Sequence, residues 1–332
     1  MHQSRRHLRR LSAGLFPLSL SGCGGIQAIL VPASRDARMV AELAWWMFAL
    51  AAFIFTVTIG LMLTGAALRH GRTARPLSSR TATFMVVTCG VIAPIAAIIG
   101  LSLSGVMIGD ETEGPGGADG PVIEVHARQW WWEFRYLNDD GSVRAVTANE
   151  LHLPVGKRAR FRLISDNVIH SFWAPNLQGK TDMIPGKVNT LFAEPDTVGR
   201  WRGQCAEFCG LQHALMGFFV EAQPEPQFDA WLTAQAADAV VPQGPGQQVF
   251  QRLGCGDCHR VRGTAAQGRN GPDLTHLASR QTIAAATLPN TRGNLGGWIT
   301  GVQQVKPGAL MPSYSPEPDD LDALLDYLEA LK

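Results

Sequence analysis

Residues 205–216 read Cys-Ala-Glu-Phe-Cys-Gly-Leu-Gln-His-Ala-Leu-Met, and this stretch decides how the rest of the chain is interpreted. Its candidate metal ligands are Cys205, Cys209, His213 and Met216. One more histidine, His170, lies upstream at the end of a predicted strand. Thiolates and thioethers favour copper, whereas imidazole suits copper or zinc. The stretch therefore predicts a metal site.

The ligand count alone leaves several kinds of site open. Two cysteines, two histidines and a methionine exceed the four ligands of a closed zinc site, and they suit two metals bridged by two thiolates. A zinc site of His170, Cys205, Cys209 and His213 also fits, as does a periplasmic copper carrier with a cysteine pair and a distant histidine. A disulfide between Cys205 and Cys209 is a third alternative. The residues alone favour copper without excluding zinc.

A second motif, Cys255-Gly256-Asp257-Cys258-His259, is a signature for covalent attachment of haem c. Cys255 and Cys258 would bind the two vinyl groups, and His259 would lie under the iron as its proximal ligand. After His259 the chain has one methionine, Met311, and one other histidine, His276. Elimination therefore predicts Met311 as the second axial ligand, with His276 at the surface or on the propionate side of the haem.

Two stretches without a charged residue, Leu43–Leu68 and Thr81–Ile108, precede both motifs. Each exceeds the roughly 20 apolar residues needed to cross a bilayer. The loop between them is basic and has no acid; it contains Arg69, His70, Arg72, Arg75 and Arg80. Positive loops stay in the cytoplasm, so everything after Ile108 is predicted to be periplasmic.

The N-terminus carries a different signal. A basic start is followed by a short apolar run and by Leu20-Ser21-Gly22-Cys23. This pattern predicts a secretory signal peptide over residues 1–22. Its ending resembles a bacterial lipoprotein cleavage site, which predicts lipidation of Cys23.

The part predicted to be exported divides into two segments with different secondary-structure patterns. Residues 157–164 alternate, with Arg158, Arg160 and Arg162 on one face and apolar residues on the other, and turns punctuate the segment up to residue 223. This predicts an all-β domain, closed by a short helix over Pro224–Ala237. The remainder favours helices, ending in one from Pro318 onward. The net charge of +1 gives no reason to expect nucleic acid as a partner.

These motifs together resemble subunit II of haem–copper cytochrome c oxidases. The string Cys-x-Glu-x-Cys-Gly-x-x-His-x-x-Met is similar to that family's copper loop, and Gln129-Trp130-Trp131-Trp132 resembles its tryptophan stretch. The segment 170–186, with His-Ser-Phe-Trp-Ala-Pro at its start, resembles the family's first histidine segment. The haem motif matches the caa-type members, in which a cytochrome c domain is fused at the C-terminus.

The resemblance implies a multidomain membrane protein. We expect a two-helix transmembrane hairpin (40–110), an all-β cupredoxin-like copper domain (121–223), a helix and linker (224–243) and an all-α class I cytochrome c domain (244–332). The expected location is the bacterial inner membrane, as a multi-pass protein with both redox domains on the periplasmic side.

The resemblance also implies a role for each matching residue. His170 and His213 would each bind one copper of a dinuclear CuA centre, and Cys205 and Cys209 would bridge both. Met216 would be a weak ligand to one copper, and the backbone carbonyl of Glu207 a ligand to the other. The Glu207 carboxylate would help to hold a magnesium ion shared with subunit I. Trp130 would receive electrons, although an aromatic belt at the membrane interface would also explain it.

The expected function follows from these roles. Electrons from cytochrome c or a membrane-bound donor would pass through the haem c and the copper pair to the oxygen-reducing haem/CuB site in subunit I, coupled to proton pumping. Subunits I and III and membrane lipid are the expected partners. The alternative is a periplasmic copper-binding assembly factor or carrier with an accessory haem c.

Overall fold

The computed structural model describes residues 24–70, 78–114 and 117–332. The predicted signal peptide (1–22), Cys23 and much of the basic loop, including Arg72 and Arg75, lie outside the described residues. Lipidation of Cys23 and the orientation derived from that loop therefore stay predictions.

The N-terminal helices coincide with the uncharged stretches. Helix α1 spans Arg35–His70; α2 (Ser79–Val87), a π-helical turn (Thr88–Ile92) and α3 (Ala93–Glu113) run on without a break. Ser78 begins α2 because its hydroxyl accepts the Thr81 N–H at 3.2 Å, which satisfies a donor that the first turn leaves free. Within the described residues, two helices are long and apolar enough to cross a membrane, Arg35–Leu68 and Ser79–Thr112.

Ten strands follow and form a β-sandwich, which confirms the predicted all-β domain. They are β1 (Val122–Arg128), β2 (Trp131–Leu137), β3 (Val143–Ala148), β4 (Glu150–Pro154), β5 (Ala159–Ser165), β6 (His170–Trp173), β7 (Thr181–Met183), β8 (Asn189–Ala193), β9 (Gly199–Cys205) and β10 (Gly217–Gln223). One sheet has the order β3-β2-β1-β5-β8 and the other β4-β10-β9-β6-β7. Helix α4 (Glu225–Ala236) closes this domain, which confirms the predicted helix.

Aromatic side chains fill the space between the two sheets. The rings of Phe172 and Phe218 stack at 4.7 Å, and Trp132 meets both edge-on, at 5.6 and 5.3 Å. Gly203 lies opposite Phe218 in the β9–β10 pair. A Cβ at Gly203 would lie 2.1 Å from Cζ of Phe218, so the stacked ring needs a glycine there.

The alternation in β5 is also confirmed, with one refinement at its start. Phe161 and Leu163 are buried, and Arg160 and Arg162 are exposed. Arg158, just before the strand, is buried because the ends of α1 and α3 cover it. Its guanidinium lies 3.6 Å from Asp36 and donates to the Thr112 carbonyl at 2.9 Å. Arg158 thereby connects the sandwich to both helical segments.

The C-terminal part is helical, with a small β ladder that the sequence did not predict. Its helices are α5 (Pro245–Arg252), α6 (Cys255–Cys258), α7 (Arg292–Thr300), α8 (Val302–Val305) and α9 (Pro318–Glu329), which confirms the final helix. The ladder pairs β11 (Thr282–Ile283) with β12 (Leu288–Pro289). Gly246 lets α5 cross α9 closely, because a Cβ there would lie 2.0 Å from the Ala323 carbonyl oxygen.

Substituting Gly203 tests the packing of the sandwich. We expect Gly203→Ala to destabilise the protein by about 1–3 kcal/mol, the usual cost of overpacking a filled core. Denaturant unfolding of the full chain in detergent, followed by tryptophan fluorescence, would measure the difference. The matched control is Gly179→Ala, since no atom lies within 4 Å of a Cβ at that position. Equal effects of the two substitutions would contradict this account of the core.

Candidate metal and haem centres

Strand pairing closes the loop that contains the candidate metal ligands. Cys205 ends β9 and Met216 immediately precedes β10, and these strands are antiparallel neighbours. The Cys205 N–H donates to the Met216 carbonyl at 3.0 Å, which joins the two ends of the loop. A 3-10 turn over His213–Leu215 then directs His213 back towards Cys209. The loop is therefore shaped by the sandwich beneath it.

The structure brings the predicted donors together. His170 begins β6, beside β9, and its Nδ1 lies 3.7 Å from Sγ of Cys205. Sγ of Cys209 lies 3.6 Å from Nδ1 of His213 and 3.8 Å from Sδ of Met216. The ligand atoms of His170, Cys205 and Cys209 all lie within 4.8 Å of one another. His170, both cysteines and Met216 are buried.

Asn167 determines which nitrogen of His170 faces the thiols. Its Oδ1 lies 3.0 Å from His170 Nε2, so Nε2 carries the proton and Nδ1 has a free lone pair towards Cys205. Such an outer partner fixes both the tautomer and the ring orientation of a metal-binding histidine. No pattern in the sequence indicates this role of Asn167.

The two thiols form an interacting pair. A hydrogen bond from Cys209 holds the pKa of Cys205 well below its usual range. Cys205 also contacts the backbone carbonyl of Glu207, at 3.2 Å from Sγ. The site therefore favours a thiolate, the form of cysteine that binds metal. Both cysteines are free thiols in this structure, without a disulfide between them.

A second set of hydrogen bonds holds the loop from outside. The Gln129 amide and the Trp130 indole both donate to the Cys209 carbonyl, at 2.8 and 2.9 Å. The Trp132 indole donates to the Met216 carbonyl at 3.3 Å. Trp130 is half-buried, so its ring reaches from the protein surface to the backbone of a candidate ligand. Gln129 and Trp132 belong to the tryptophan stretch identified in the sequence, but the sequence did not predict their hydrogen bonds to the loop.

The donor set fits a pair of copper ions better than one zinc ion. Two thiolates, two imidazoles and a thioether converge here, with the Glu207 carbonyl beside them. A closed zinc site uses four ligands and has no use for the thioether, which is a soft ligand that suits copper. The Glu207 side chain is half-exposed, and among the described residues we find no hydrogen bond to its carboxylate.

The proximal side of the predicted haem site is also shaped for its ligand. His259 Nδ1 donates to the Pro272 carbonyl at 2.8 Å, which leaves Nε2 available to bind iron. Burial lowers the pKa of His259 and favours the neutral ring. A Cβ at Gly271 would lie 2.5 Å from this ring, so the backbone packs directly against it.

The residues around this histidine fit a haem. Cys255 and Cys258 are free thiols on the single turn of α6. Partly exposed apolar side chains border the buried core of the domain; they include Cys255, Leu274, Trp298, Met311 and Tyr314. Half-covered apolar surface of this kind suits a large flat cofactor. Met311 belongs to the same border, on the loop between α8 and α9.

His276 is buried. It is 5% exposed, so the surface alternative of its prediction is wrong. A place on the propionate side of the haem stays a prediction. Its Nε2 lies 2.9 Å from the Ala237 carbonyl and 3.0 Å from the Arg262 guanidinium. The linker after α4 covers the ring, a long-range contact that no local pattern indicates.

Comparison with known proteins agrees with both centres. The family model for the cytochrome c oxidase subunit II periplasmic domain matches residues 138–223, and the model for cytochrome c matches residues 244–332. The first implies a CuA copper centre and the second implies haem c. The crystal structure of the periplasmic domain of subunit II of cytochrome oxidase from Bradyrhizobium japonicum is 28% identical, with a TM-score of 0.33; the match covers 36% of this chain and 94% of that one.

Two relatives align with nearly the whole chain. Cytochrome c oxidase subunit 2 of Alkalihalophilus pseudofirmus is 32% identical over 98% of this chain and 97% of its own length. That of Bacillus subtilis is 29% identical over 97% of each chain. Together with the apolar helices, these matches make the chain a membrane-anchored component of an oxidase rather than a copper carrier. The chain belongs to the cytochrome c oxidase subunit II family, in the form that has a cytochrome c domain fused at its C-terminus.

Proposed function

We propose that this chain takes electrons from a cytochrome c or a membrane-bound donor at its haem c and passes them to a dinuclear copper centre. From there they would reach the haem/CuB site of subunit I, where oxygen is reduced and protons are pumped. The observation that carries this proposal is the convergence of two thiols, two imidazoles and a thioether at one site, on a chain that also has a haem c domain.

Each candidate residue has a specific part in this proposal. Cys205 and Cys209 would bridge the two coppers, His170 and His213 would each bind one, and Met216 and the Glu207 carbonyl would be weaker ligands. When bound, the copper pair and the haem supply one-electron redox chemistry. The chain keeps the ligands in place: Asn167 orients His170, and the β9–β10 pair holds the loop ends. A site that scarcely moves on oxidation lowers the barrier to electron transfer.

The proposal also covers the haem ligands and the path between the two centres. We assign Cys255 and Cys258 to covalent attachment, with His259 and Met311 as axial ligands. Trp130 donates to the carbonyl of Cys209, so its indole is coupled to a bridging ligand by one hydrogen bond. This supports Trp130 as the residue through which electrons reach the copper.

Partners and location complete the proposal. We propose that subunits I and III and membrane lipid contact this chain, and that the Glu207 carboxylate helps to hold a magnesium ion at the contact with subunit I. Residues 40–110 would form the transmembrane hairpin in the inner membrane, after removal of a signal peptide (1–22). Residues 121–223 and 244–332, joined by 224–243, would lie in the periplasm.

Removing a bridging thiol tests the copper centre. Purified full-length chain loaded with copper should give the electron paramagnetic resonance signal of a mixed-valence copper pair. Cys205→Ser should abolish that signal, because one hydroxyl cannot replace a bridging thiolate. Cys89→Ser is the matched control, since this free cysteine lies in the π-helical turn of the membrane segment. A single-copper signal, or a domain that retains only zinc, would refute the proposed centre.

Replacing Met311 tests the haem ligation. Met311→Ala should lower the midpoint potential of the haem, because methionine ligation raises it. The haem should still resist acid–acetone extraction, since Cys255 and Cys258 remain. Leu310→Ala, at the exposed neighbouring position, should leave the potential unchanged. An unaltered potential in Met311→Ala would show that another group is the sixth ligand.

A further inference from the structure

The haem domain packs directly on the copper domain, and each domain buries one charged side chain against the backbone of the other. Glu150 belongs to the copper domain and Lys306 to the haem domain, and each is only 3% exposed. Burying a charge is costly unless hydrogen bonds compensate for it. The compensation for both residues comes mainly from across the interface.

The ammonium group of Lys306 is bound by three backbone carbonyls. Nζ donates to the carbonyls of Trp130 and Leu215, each at 3.0 Å, and lies 3.5 Å from that of Ala284 in its own domain. An ammonium has three donors, so this arrangement uses all of them. Among the described residues, no carboxylate forms an ion pair with Lys306. Of its partners, Leu215 belongs to the copper-ligand loop, the segment between Cys205 and Met216, and Trp130 donates a hydrogen bond to that loop.

Glu150 makes the complementary contact, with the direction of donation reversed. Its Oε1 accepts the backbone N–H groups of Gln281 and Thr282, at 2.8 and 2.9 Å, and the Thr282 hydroxyl at 3.3 Å. These residues lie at the start of β11 in the haem domain. Hydrogen bonds to a charged acceptor are about twice as strong as neutral ones. The haem domain thus donates hydrogen bonds to the Glu150 carboxylate and also contributes the Lys306 ammonium.

Between these two contacts, a turn of the haem domain is shaped by the surface of the copper domain. Ala284, Ala285 and Ala286 all have positive φ, at 54°, 58° and 59°. This left-handed conformation is unfavourable for alanine and persists only where the surroundings enforce it. Ala285 is buried against Trp131, and its carbonyl accepts the Gly217 N–H at 3.3 Å.

The two ligand-bearing loops meet at the same interface. The Gln212 amide donates to the Pro307 carbonyl at 2.7 Å. Leu211 packs on Gly308, where a Cβ would lie 2.8 Å from Cδ1 of Leu211. Gln212 and Leu211 belong to the loop between Cys205 and Met216, whereas Pro307 and Gly308 lead to Met311. The contacts are therefore continuous from one set of ligands to the other.

We propose that Glu150 and Lys306 are positioning residues that lock the haem domain on the copper domain in one orientation. The Met311 loop then faces the copper-ligand loop permanently, and electron transfer between the centres does not wait for a tethered domain to find its partner. This inference rests on the proposed function, because it assumes that the haem and the copper pair exchange electrons.

The test uses the intact oxidase with its subunit II variants. An added photoreductant reduces the haem c after a light pulse, and transfer to the copper pair is followed optically at increasing glycerol concentrations. In the wild type the rate should not change with viscosity, since no domain movement precedes transfer. Lys306→Met and Glu150→Met each remove a buried charged hydrogen-bonding group, which should lower the docked-to-undocked ratio about tenfold, and the double variant about a hundredfold. Transfer in the double variant should become slower and should fall with viscosity.

Controls separate positioning from folding and from the proposed function. Lys332→Met and Glu317→Gln, both exposed, should behave as the wild type does. The copper resonance signal and the haem potential should be unchanged in each variant, and the milder Lys306→Gln serves if Lys306→Met fails to fold. Viscosity-dependent transfer in the wild type, or wild-type kinetics in the double variant, would refute the positioning role of Glu150 and Lys306. If the haem is reduced and the copper never is, the proposed function itself fails.

Discussion

The hydrogen bond between the Cys205 N–H and the Met216 carbonyl is the constraint on which the rest of the redox site depends. It continues the β9–β10 pairing by one hydrogen bond, directly before the loop between Cys205 and Met216. The sheet therefore sets the separation of the two ends of that loop. His170 is held against the same sheet because β6 pairs with β9. Candidate ligands from distant parts of the sequence therefore meet at a position that backbone pairing determines, and their side chains need little adjustment.

Tryptophan and amide groups extend this constraint outward from the ligands. Gln129 and Trp130 both bind the Cys209 carbonyl, and the carbonyl of Trp130 in turn accepts from Lys306. A single chain of hydrogen bonds thus leads from a candidate copper ligand to the haem domain. The hydrogen bonds that stabilise the copper loop are, in this account, also those that position the electron donor. The same hydrogen bonds would therefore keep the copper loop rigid and hold the haem domain in place for electron transfer.

Local patterns predicted much of this protein, and long-range contacts account for what they missed. The uncharged stretches and the alternation in β5 are each contained in one continuous segment, so the helices and the all-β domain could be predicted. The Cys-x-x-Cys-His motif is likewise local, and it predicts the haem attachment. Lys306 could not, because a lone lysine between Val305 and Pro307 has no pattern that signals burial. The alanines at 284–286 would favour a right-handed helix, and only the copper domain explains their left-handed turn.

The central claim is that one chain holds a copper pair and a covalent haem, and metal analysis tests it most directly. Full-length chain should be purified without the other oxidase subunits and loaded with copper, and its copper, zinc and covalent haem should be quantified together. The account predicts about two copper ions for each haem, with negligible zinc, since the thiolate and thioether donors favour copper. One copper per haem, or zinc in its place, would contradict it.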